Sequence, residues 1–243
     1  TGLMVNKDRT IGCERVWFAP HAGDSVDFVV VCTKYWKLTA GSLTQVQLGD
    51  IHDFDIPSIN GSNNKDGSES NFVWLRGTEG ATADCAPMAT RFGANVPLGQ
   101  RFTSQSICTN DDPFGQYSIN NTTDLTNNTQ GSGTGVIHPD TSWNRSGGFN
   151  AIGNLGLDSV DMRIVTTWKH NQTLTFGDTL YTYSALTTVK NGTIADLKTN
   201  ATVACAWYQN NLRPTCTVCG CCIGTRGNVD ATVGETPDIG DLS

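Results

Sequence analysis

The sequence has few charged residues and no long apolar run, and these two absences exclude several classes of protein. Only 16% of the 243 residues are Asp, Glu, Lys or Arg, and 16 basic against 23 acidic side chains give a net charge of −7. No part of the chain supplies the stripe of Lys and Arg that binding to nucleic-acid phosphates requires. No apolar stretch approaches the ~20 residues that cross a bilayer. The sequence therefore argues against a nucleic-acid partner and against a membrane span.

Motifs that carry catalytic chemistry are also missing. The sequence contains no Gly-x-Ser-x-Gly nucleophile elbow, no His-Glu-x-x-His zinc motif and no Gly-x-x-x-x-Gly-Lys phosphate loop. The four histidines lack the spacing of metal ligands, which favours surface or loop positions for His21, His52, His138 and His170. We therefore predict that the protein is not an enzyme, and a secreted hydrolase is the less favoured alternative.

The residues that are abundant indicate a secreted protein. The chain contains 26 glycines and many Thr and Asn residues, which is typical of a turn-rich extracellular β protein. It opens at Thr1 without an initiator Met or a basic segment, which predicts that a signal peptide has been removed. We expect an extracellular or cell-surface location.

Nine cysteines point to an oxidising compartment. The C-terminal cysteines lack the second Cys-x-x-Cys or His pair that would complete a zinc site, which favours disulfides over zinc. Because nine is odd, one thiol stays free or pairs between chains. The pairing is open, although we favour a loop closed by Cys85 and Cys108 and a tail anchored by Cys205. The candidate disulfide residues are Cys13, Cys32, Cys85, Cys108, Cys205, Cys216, Cys219, Cys221 and Cys222.

Alternation of apolar and polar residues predicts an antiparallel β-sandwich. Strand patterns occupy residues 26–33, 44–48, 72–75, 162–168 and 180–189. The first two patterns flank the turn Ala40-Gly41-Ser42, so we expect them to pair with each other. Residues 170–172 or 177–178 form the turn before the last strand.

One helix is predicted near the C-terminus, at about residues 193–209. Thr193 is a suitable N-cap, and Asp196 stands three residues later as in a capping box. The apolar residues that follow fall on one helical face, which we expect to cover an open face of the sheets: Ile194, Leu197, Ala201, Ala204 and Tyr208. These patterns divide the chain into a β-sandwich domain, residues 1–215, and a cysteine-rich tail, residues 216–243.

The segment from about 110 to 148 is rich in Asn, Thr and Gly, which is typical of a long surface excursion or of a segment that is ordered only by a partner. Its aromatic residues could stack on sugars, but buried anchors are the favoured interpretation for Phe114, Tyr117, Trp143 and Phe149.

Acidic residues are concentrated between residues 50 and 69. Asp53 and Asp55 share one face of a strand by the period of two, and Asp66 follows in the next loop. These three carboxylates are candidates for a calcium site or for a hydrogen-bonded turn network. A carboxylate pair for glycoside hydrolysis is the less favoured alternative, since that reaction needs two acids ~5–10 Å apart.

The tail carries a stronger calcium pattern. Oxygen-bearing side chains alternate with glycines before an amphipathic Ile-x-x-Leu, as in a calcium loop that leads into a helix, at Asn228, Asp230, Thr232, Asp238 and Asp241. The run Asn-Val-Asp followed by Asp-Ile-Gly-Asp-Leu-Ser resembles the first half of a type I dockerin repeat. That resemblance implies calcium as the cofactor and a cohesin-like scaffold as a partner. The loop here is two residues longer than the usual repeat.

A second resemblance lies within the predicted domain. Its residues resemble a β-rich domain found in uncharacterised secreted bacterial proteins, often followed by a dockerin-like tail, and the resemblance implies no activity. The matching stretches are Asp53-Phe-Asp55-Ile-Pro57-Ser, Asn63-Asn64, Arg76-Gly77, Asp84-Cys85 and Arg91-Phe92-Gly93.

Eight Asn-x-Ser/Thr sequons are candidate glycosylation sites, although the abundance of Ser and Thr makes such matches common by chance. They are Asn60, Asn120, Asn121, Asn127, Asn144, Asn171, Asn191 and Asn200.

Taken as a whole, the sequence favours a structural subunit of an extracellular assembly, a filament or a surface array. We expect a homopolymer that self-associates through strand edges and the tail and is stabilised by disulfides and calcium. The alternative is a secreted module that binds carbohydrate or a scaffold and is attached through the dockerin-like tail.

Overall fold

The computed structural model of the chain describes residues 2–20, 27–54, 56, 64–78, 82–83, 86–87, 90–103, 113, 115–120 and 152–213. The strands are β1 Gly2–Val5, β2 Ile11–Phe18, β3 Phe28–Lys37, β4 Ser42–Asp53, β5 Asn64–Ser68, β6 Val73–Gly77, β7 Thr82–Ala83, β8 Ala86–Pro87, β9 Phe92–Phe102, β10 Gly115–Asn120, β11 Ile152–Gly153, β12 Asp158–Val160, β13 Met162–Thr175 and β14 Thr179–Val189. The helix α1 spans Ile194–Asn211. The described part of the chain is therefore mainly β with a helix near its C-terminal end, as the sequence predicts.

The strands form two main sheets and a short hairpin. The large sheet has eight strands in the order β1-β2-β3-β14-β9-β6-β5-β12, and all its pairings are antiparallel. The small sheet has four strands in the order β11-β10-β13-β4, with one parallel pairing between β10 and β11. Strands β7 and β8 form the hairpin.

The predicted helix is confirmed together with its cap. The amide of Asp196 donates to the hydroxyl of Thr193, and the Asp196 carboxylate accepts from the Thr193 amide at 2.7 Å. The helix begins at Ile194 and ends at Asn211, two residues beyond the predicted end. Four of the five residues of the predicted apolar face are buried, Leu197, Ala201, Ala204 and Tyr208, and the fifth, Ile194, is partly buried against the same cluster. No helix in these ranges is both long enough and apolar enough to cross a membrane.

The large sheet is covered on both faces. Helix α1 lies on β3, β9 and β14, where the rings of Tyr183 and Tyr208 are 5.1 Å apart. The small sheet contacts the opposite face through two apolar clusters, one around Trp168 and Leu180 and one around Leu75 and Ile164. Because both faces are covered, the central strands β9 and β14 are buried along most of their length.

The predicted pairing of residues 26–33 with 44–48 is wrong. These segments lie in β3 and β4, which belong to different sheets. The turn that contains Gly41, with φ of 81°, carries the chain from the large sheet to the small sheet. The turn at Gly177 returns the chain from β13 of the small sheet to β14 of the large sheet. The two turns are close together, because the amide of Phe176 donates to the carbonyl of Gly41 at 3.0 Å. The proximity of the two segments in sequence favoured a hairpin, whereas each strand pairs with a partner from the C-terminal part of the chain.

The expected excursion at 110–148 also needs correction. Strand β10 lies inside it and pairs with β13 in the small sheet. The pattern of residues 115–120 is short and polar, yet Ile119 is fully buried and Gln116 and Ser118 are buried with it. The buried side chains of Gln116 and Ser118 are polar and hydrogen-bond to the large sheet. The alternation of apolar and polar residues that predicts a strand is therefore missing here. Residues 121–148 lie outside the described residues.

Several strand glycines lie beneath aromatic rings. A Cβ atom at each of these glycines would overlap a ring atom, so the absence of a side chain allows the ring to lie flat on the sheet. The pairs are Gly12 with Trp36, Gly67 with Trp74, Gly93 with Phe54 and Gly153 with Tyr117. Tyr117 therefore packs against its own sheet, which agrees with the favoured interpretation as an anchor.

Candidate functional site: an open apolar strand edge

A buried polar cluster joins the two sheets around Asp50. This residue of β4 is 4% exposed. Its carboxylate accepts hydrogen bonds from the Arg15 guanidinium, from the Tyr35 hydroxyl at 3.2 Å and from Nε1 of Trp168 at 2.7 Å. Arg15 and Tyr35 belong to the large sheet, so these bonds cross the interface. Saturation of the carboxylate by three donors is typical of a structural contact.

Two titratable groups beside Asp50 are neutral at pH 7. Burial lowers the pKa of His52, an effect that Asp50 opposes and Arg15 reinforces. Burial also raises the pKa of Cys13 to about 11, with Arg15 opposing and Asp50 adding to the shift. A protonated thiol is a poor nucleophile, so Cys13 lacks the activation that catalysis requires. His52 lies within β4 with a buried Nε2 atom, which differs from the expected surface or loop position.

The acidic residues predicted for a second calcium site lie in separate contacts. Asp66 in β5 accepts from the amides of Leu155, Gly156 and Leu157, at 2.8, 3.2 and 2.8 Å, and from the hydroxyl of Ser118. Asp53 in β4 forms an ion pair with Arg163 at 2.8 Å. Asp55 lies outside the described residues, so the calcium site and the hydrolytic carboxylate pair stay predictions.

The predicted calcium ligands of the tail, Asn228, Asp230, Thr232, Asp238 and Asp241, also lie outside the described residues. Within the residues that are described, no group of three His, Cys, Asp or Glu side chains could hold a metal ion.

Three of the nine cysteines are described. Cys13 and Cys205 are partly buried, Cys32 is buried, and no disulfide involves any of these three. Burial raises the pKa of the Cys205 thiol. The other six, Cys85, Cys108, Cys216, Cys219, Cys221 and Cys222, lie outside the described residues, as does the tail that Cys205 is expected to anchor.

The described sequons differ in accessibility. Asn171 and Asn191 are exposed and have positive φ angles of 52° and 59°. Asn200 is partly buried in α1, and its Nδ2 donates to the carbonyl of Thr188 at 3.2 Å. Asn120 lies in β10. Asn60, Asn121, Asn127 and Asn144 lie outside the described residues, together with His21, His138 and three of the four aromatic residues of the excursion.

The exposed apolar surface concentrates at β1, the first strand of the large sheet. Leu3, Met4 and Val5 are 71%, 48% and 55% exposed, and Trp17 of β2 is 49% exposed beside Gly2. Strand β1 pairs with β2 on one side, and no described strand pairs with its other side. An uncharged, apolar open edge of this kind is a template for another strand.

A tight turn holds β1 against β2. Oδ1 of Asn6 accepts from the amides of Thr10 and Ile11, both at 2.8 Å, and the Asn6 amide donates to the Ile11 carbonyl at 3.1 Å. Arg9 adopts a φ of 52°, and its amide donates to the Asn6 carbonyl at 2.9 Å. The four-residue strand is therefore fixed in register and presents its outer edge.

The other edge strands of the two main described sheets have features that disfavour pairing with another strand. Strand β12 has three residues, a register shift and an ion pair between Asp158 and Lys65. Strand β11 has two residues. Strand β4 contains Gln45 at a φ of 57°, and its register with β13 shifts at several points. Short strands, bulges and charges are the usual protection of sheet edges. Strand β1 is short, with four residues, but it carries neither a charged residue nor a register shift in its pairing with β2.

The sequence analysis missed both β1 and the Asp50 cluster. A signal for β1 exists, because the apolar residues 3–5 and Ile11 flank the polar segment 6–10 as in a hairpin. No local signal exists for the cluster, since its members come from four strands that are distant in sequence. Only the pairing of the sheets brings them together.

The fold and this edge define a mainly β protein with an apolar strand available for pairing. No protein family model matches the sequence, and no curated protein matches it.

Proposed function

We propose that the chain is a non-catalytic structural subunit of an extracellular assembly, a filament or surface array, in which copies associate through strand edges. The observation that carries this proposal is the open apolar edge of β1. Leu3 and Val5 are the first and third most exposed of the large apolar side chains in the described residues, and they lie on this one strand. No described strand of the same copy covers this edge, whereas β1 of a second copy would cover it.

The proposed architecture is an antiparallel β-sandwich with a covering helix. Hydrogen bonds from two strands of the large sheet to Asp50 of the small sheet support it. We further propose that disulfides and calcium in the tail stiffen the assembly and provide a second contact. The nine cysteines and the calcium-loop pattern of the sequence support this part of the proposal.

The test is the state of assembly of the purified full chain. We would measure mass by light scattering over a range of concentrations and image the material by negative-stain electron microscopy, with calcium and with EGTA. We expect oligomers or ordered polymers whose mass rises with concentration and which loosen on chelation.

Charged residues on the open edge of β1 should abolish this concentration-dependent assembly. The double substitution Leu3→Lys and Val5→Lys places two like charges on the open strand, and we expect it to shift the protein to smaller species without a change in melting temperature of the monomer. Val203→Lys is the matched control, because Val203 is an exposed apolar residue of α1, 38% exposed and far from β1 in sequence. Monomers of the unmodified chain at all concentrations, or an assembly that the double substitution leaves intact, would overturn the proposal.

A further inference from the structure

The backbone of β1 offers its hydrogen-bonding groups in a fixed alternation. The Asn6 amide donates to the Ile11 carbonyl, so these two residues form a hydrogen-bonded pair with β2. Hydrogen-bonded and non-hydrogen-bonded pairs alternate along an antiparallel ladder. With the observed register, Met4 bonds to Cys13 and Gly2 to Arg15. The N–H and C=O groups of Leu3 and Val5 therefore point away from β2 toward the open edge.

This alternation is self-complementary. When two copies of β1 meet antiparallel with Met4 opposite Met4, Leu3 of each copy stands opposite Val5 of the other. Both positions carry outward N–H and C=O groups, so the two pairs form four backbone hydrogen bonds. A register centred on Leu3 pairs those groups only at Leu3 itself within the described strand.

Side chains and charge agree with the Met4-centred register. The side chains of Leu3 and Val5 lie on the face that carries α1, and Met4 lies on the face of the small sheet, because alternate residues point to opposite faces. Each face therefore gains apolar cross-strand pairs. All four residues of β1 are uncharged, so a two-fold axis through Met4 brings no like charges together.

We infer that two copies of the chain pair through antiparallel β1 strands about a two-fold axis at Met4, which joins their large sheets into one continuous sheet. This inference rests on the proposed function and specifies its contact. A two-fold contact closes on itself, so it produces a dimer, and a second contact elsewhere on the molecule is needed to extend dimers into a polymer.

Cysteine substitution tests the register. In the inferred dimer the two residues at position 4 form a non-hydrogen-bonded pair with Cα atoms ~4.5 Å apart, within the ~4.4–6.8 Å that a disulfide spans. Two residues at position 3 are diagonal neighbours at ~7–8 Å. Cys13 lies opposite Met4 in the same chain, so the substitutions are made in a Cys13→Ala background of the full chain.

We expect the amount of covalent dimer to differ among three variants after mild oxidation, as measured on non-reducing gels. Met4→Cys gives a covalent dimer several-fold more abundant than the Cys13→Ala background alone. Leu3→Cys and Val5→Cys give little dimer separately, but a mixture of the two gives a mixed dimer, because position 3 faces position 5 at ~5.5 Å. Reduction removes each covalent dimer, and the Leu3→Lys and Val5→Lys substitutions remove the dimer formed by Met4→Cys.

Other outcomes overturn the inference in distinguishable ways. A dimer cross-linked by Leu3→Cys alone would place the axis at Leu3. Absence of cross-links in an assembly that the lysine substitutions still dissolve would reject this register and leave the proposed function standing. A chain that stays monomeric would reject both.

Discussion

At the scale of single residues, Asp50 is a buried carboxylate that hydrogen-bonds to both sheets. Its carboxylate binds donors from β2, β3 and β13, so three strands from two sheets meet at one residue. Burying a carboxylate is favourable only when such donors are present. These hydrogen bonds therefore join β4 of the small sheet to β2 and β3 of the large sheet.

Replacement of Asp50 by Asn should weaken the fold. An amide keeps one acceptor but directs two N–H donors toward groups that are themselves donors, and it removes the negative charge beside Arg15. We expect a loss of roughly 1–3 kcal/mol in the free energy of unfolding, measured by urea denaturation.

The control is Asp53→Asn in the same strand. The side chain of Asp53 is 34% exposed and pairs with Arg163, so that substitution should cost less than about 1 kcal/mol. Equal losses of unfolding free energy in the two variants would show that the hydrogen bonds of Asp50 between the sheets contribute no more to stability than the exposed ion pair of Asp53.

His52 should make the stability depend on pH. Burial lowers its pKa in the folded state, whereas an unfolded histidine titrates near ~6.5. The folded protein then binds fewer protons than the unfolded chain, so stability falls as the pH drops below about 6.5, with a slope of at most about 1.4 kcal/mol per pH unit for this group.

The measurement is the free energy of unfolding of the original chain and of His52→Gln between pH 5 and 8. The substitution should reduce the loss of stability on the acid side of about pH 6.5. Parallel curves for the two proteins would contradict the assignment to His52.

At the scale of elements, the glycines beneath aromatic rings explain how large rings fit on adjacent strands. Gly67 of β5 stands opposite Trp74 of β6, and the indole lies where a Cβ atom at Gly67 would be. Trp74 in turn packs edge-on against Phe92, with ring centroids 5.7 Å apart. A side chain at Gly67 would therefore displace two rings.

Gly67→Ala should destabilise the protein although alanine suits a strand no worse than glycine does. The added methyl group forces the Trp74 ring off its position, and overpacking of this kind costs about 1–3 kcal/mol. In a Trp74→Leu background the same alanine should cost much less, because the ring is absent. Thermal unfolding of the four chains gives the coupling between the two sites, and additive effects would contradict the contact.

The sequence predicted some of these elements better than others. Helix α1 was predictable because its cap and its apolar face are local, and Thr193 and Tyr208 both lie where the pattern indicates. Strand β9 was not, because the segment Phe92–Phe102 contains Gly and Pro and is buried on both faces, so no alternation of apolar and polar residues marks it.

At the scale of the whole molecule, the sequence predicted the mainly β class but not which strands pair. The alternation of apolar and polar residues shows which side chains of a strand share a face, but it does not indicate which strands lie beside it. The predicted partner of β3 was the next strand, whereas its actual partners are β2 and β14. The candidate edge at β1 was missed for a related reason, since only the strand order shows which strand is outermost.

The pairing of β3 with β14 and of β4 with β13 has a consequence for how the chain acquires its structure. Thr182 donates to the carbonyl of Thr33, 149 positions away, and Arg163 pairs with Asp53, 110 positions away. Proteins whose contacts join distant parts of the chain fold slowly. During synthesis, β4 emerges long before its partner β13 exists, and β3 has only β2 beside it until β14 is made.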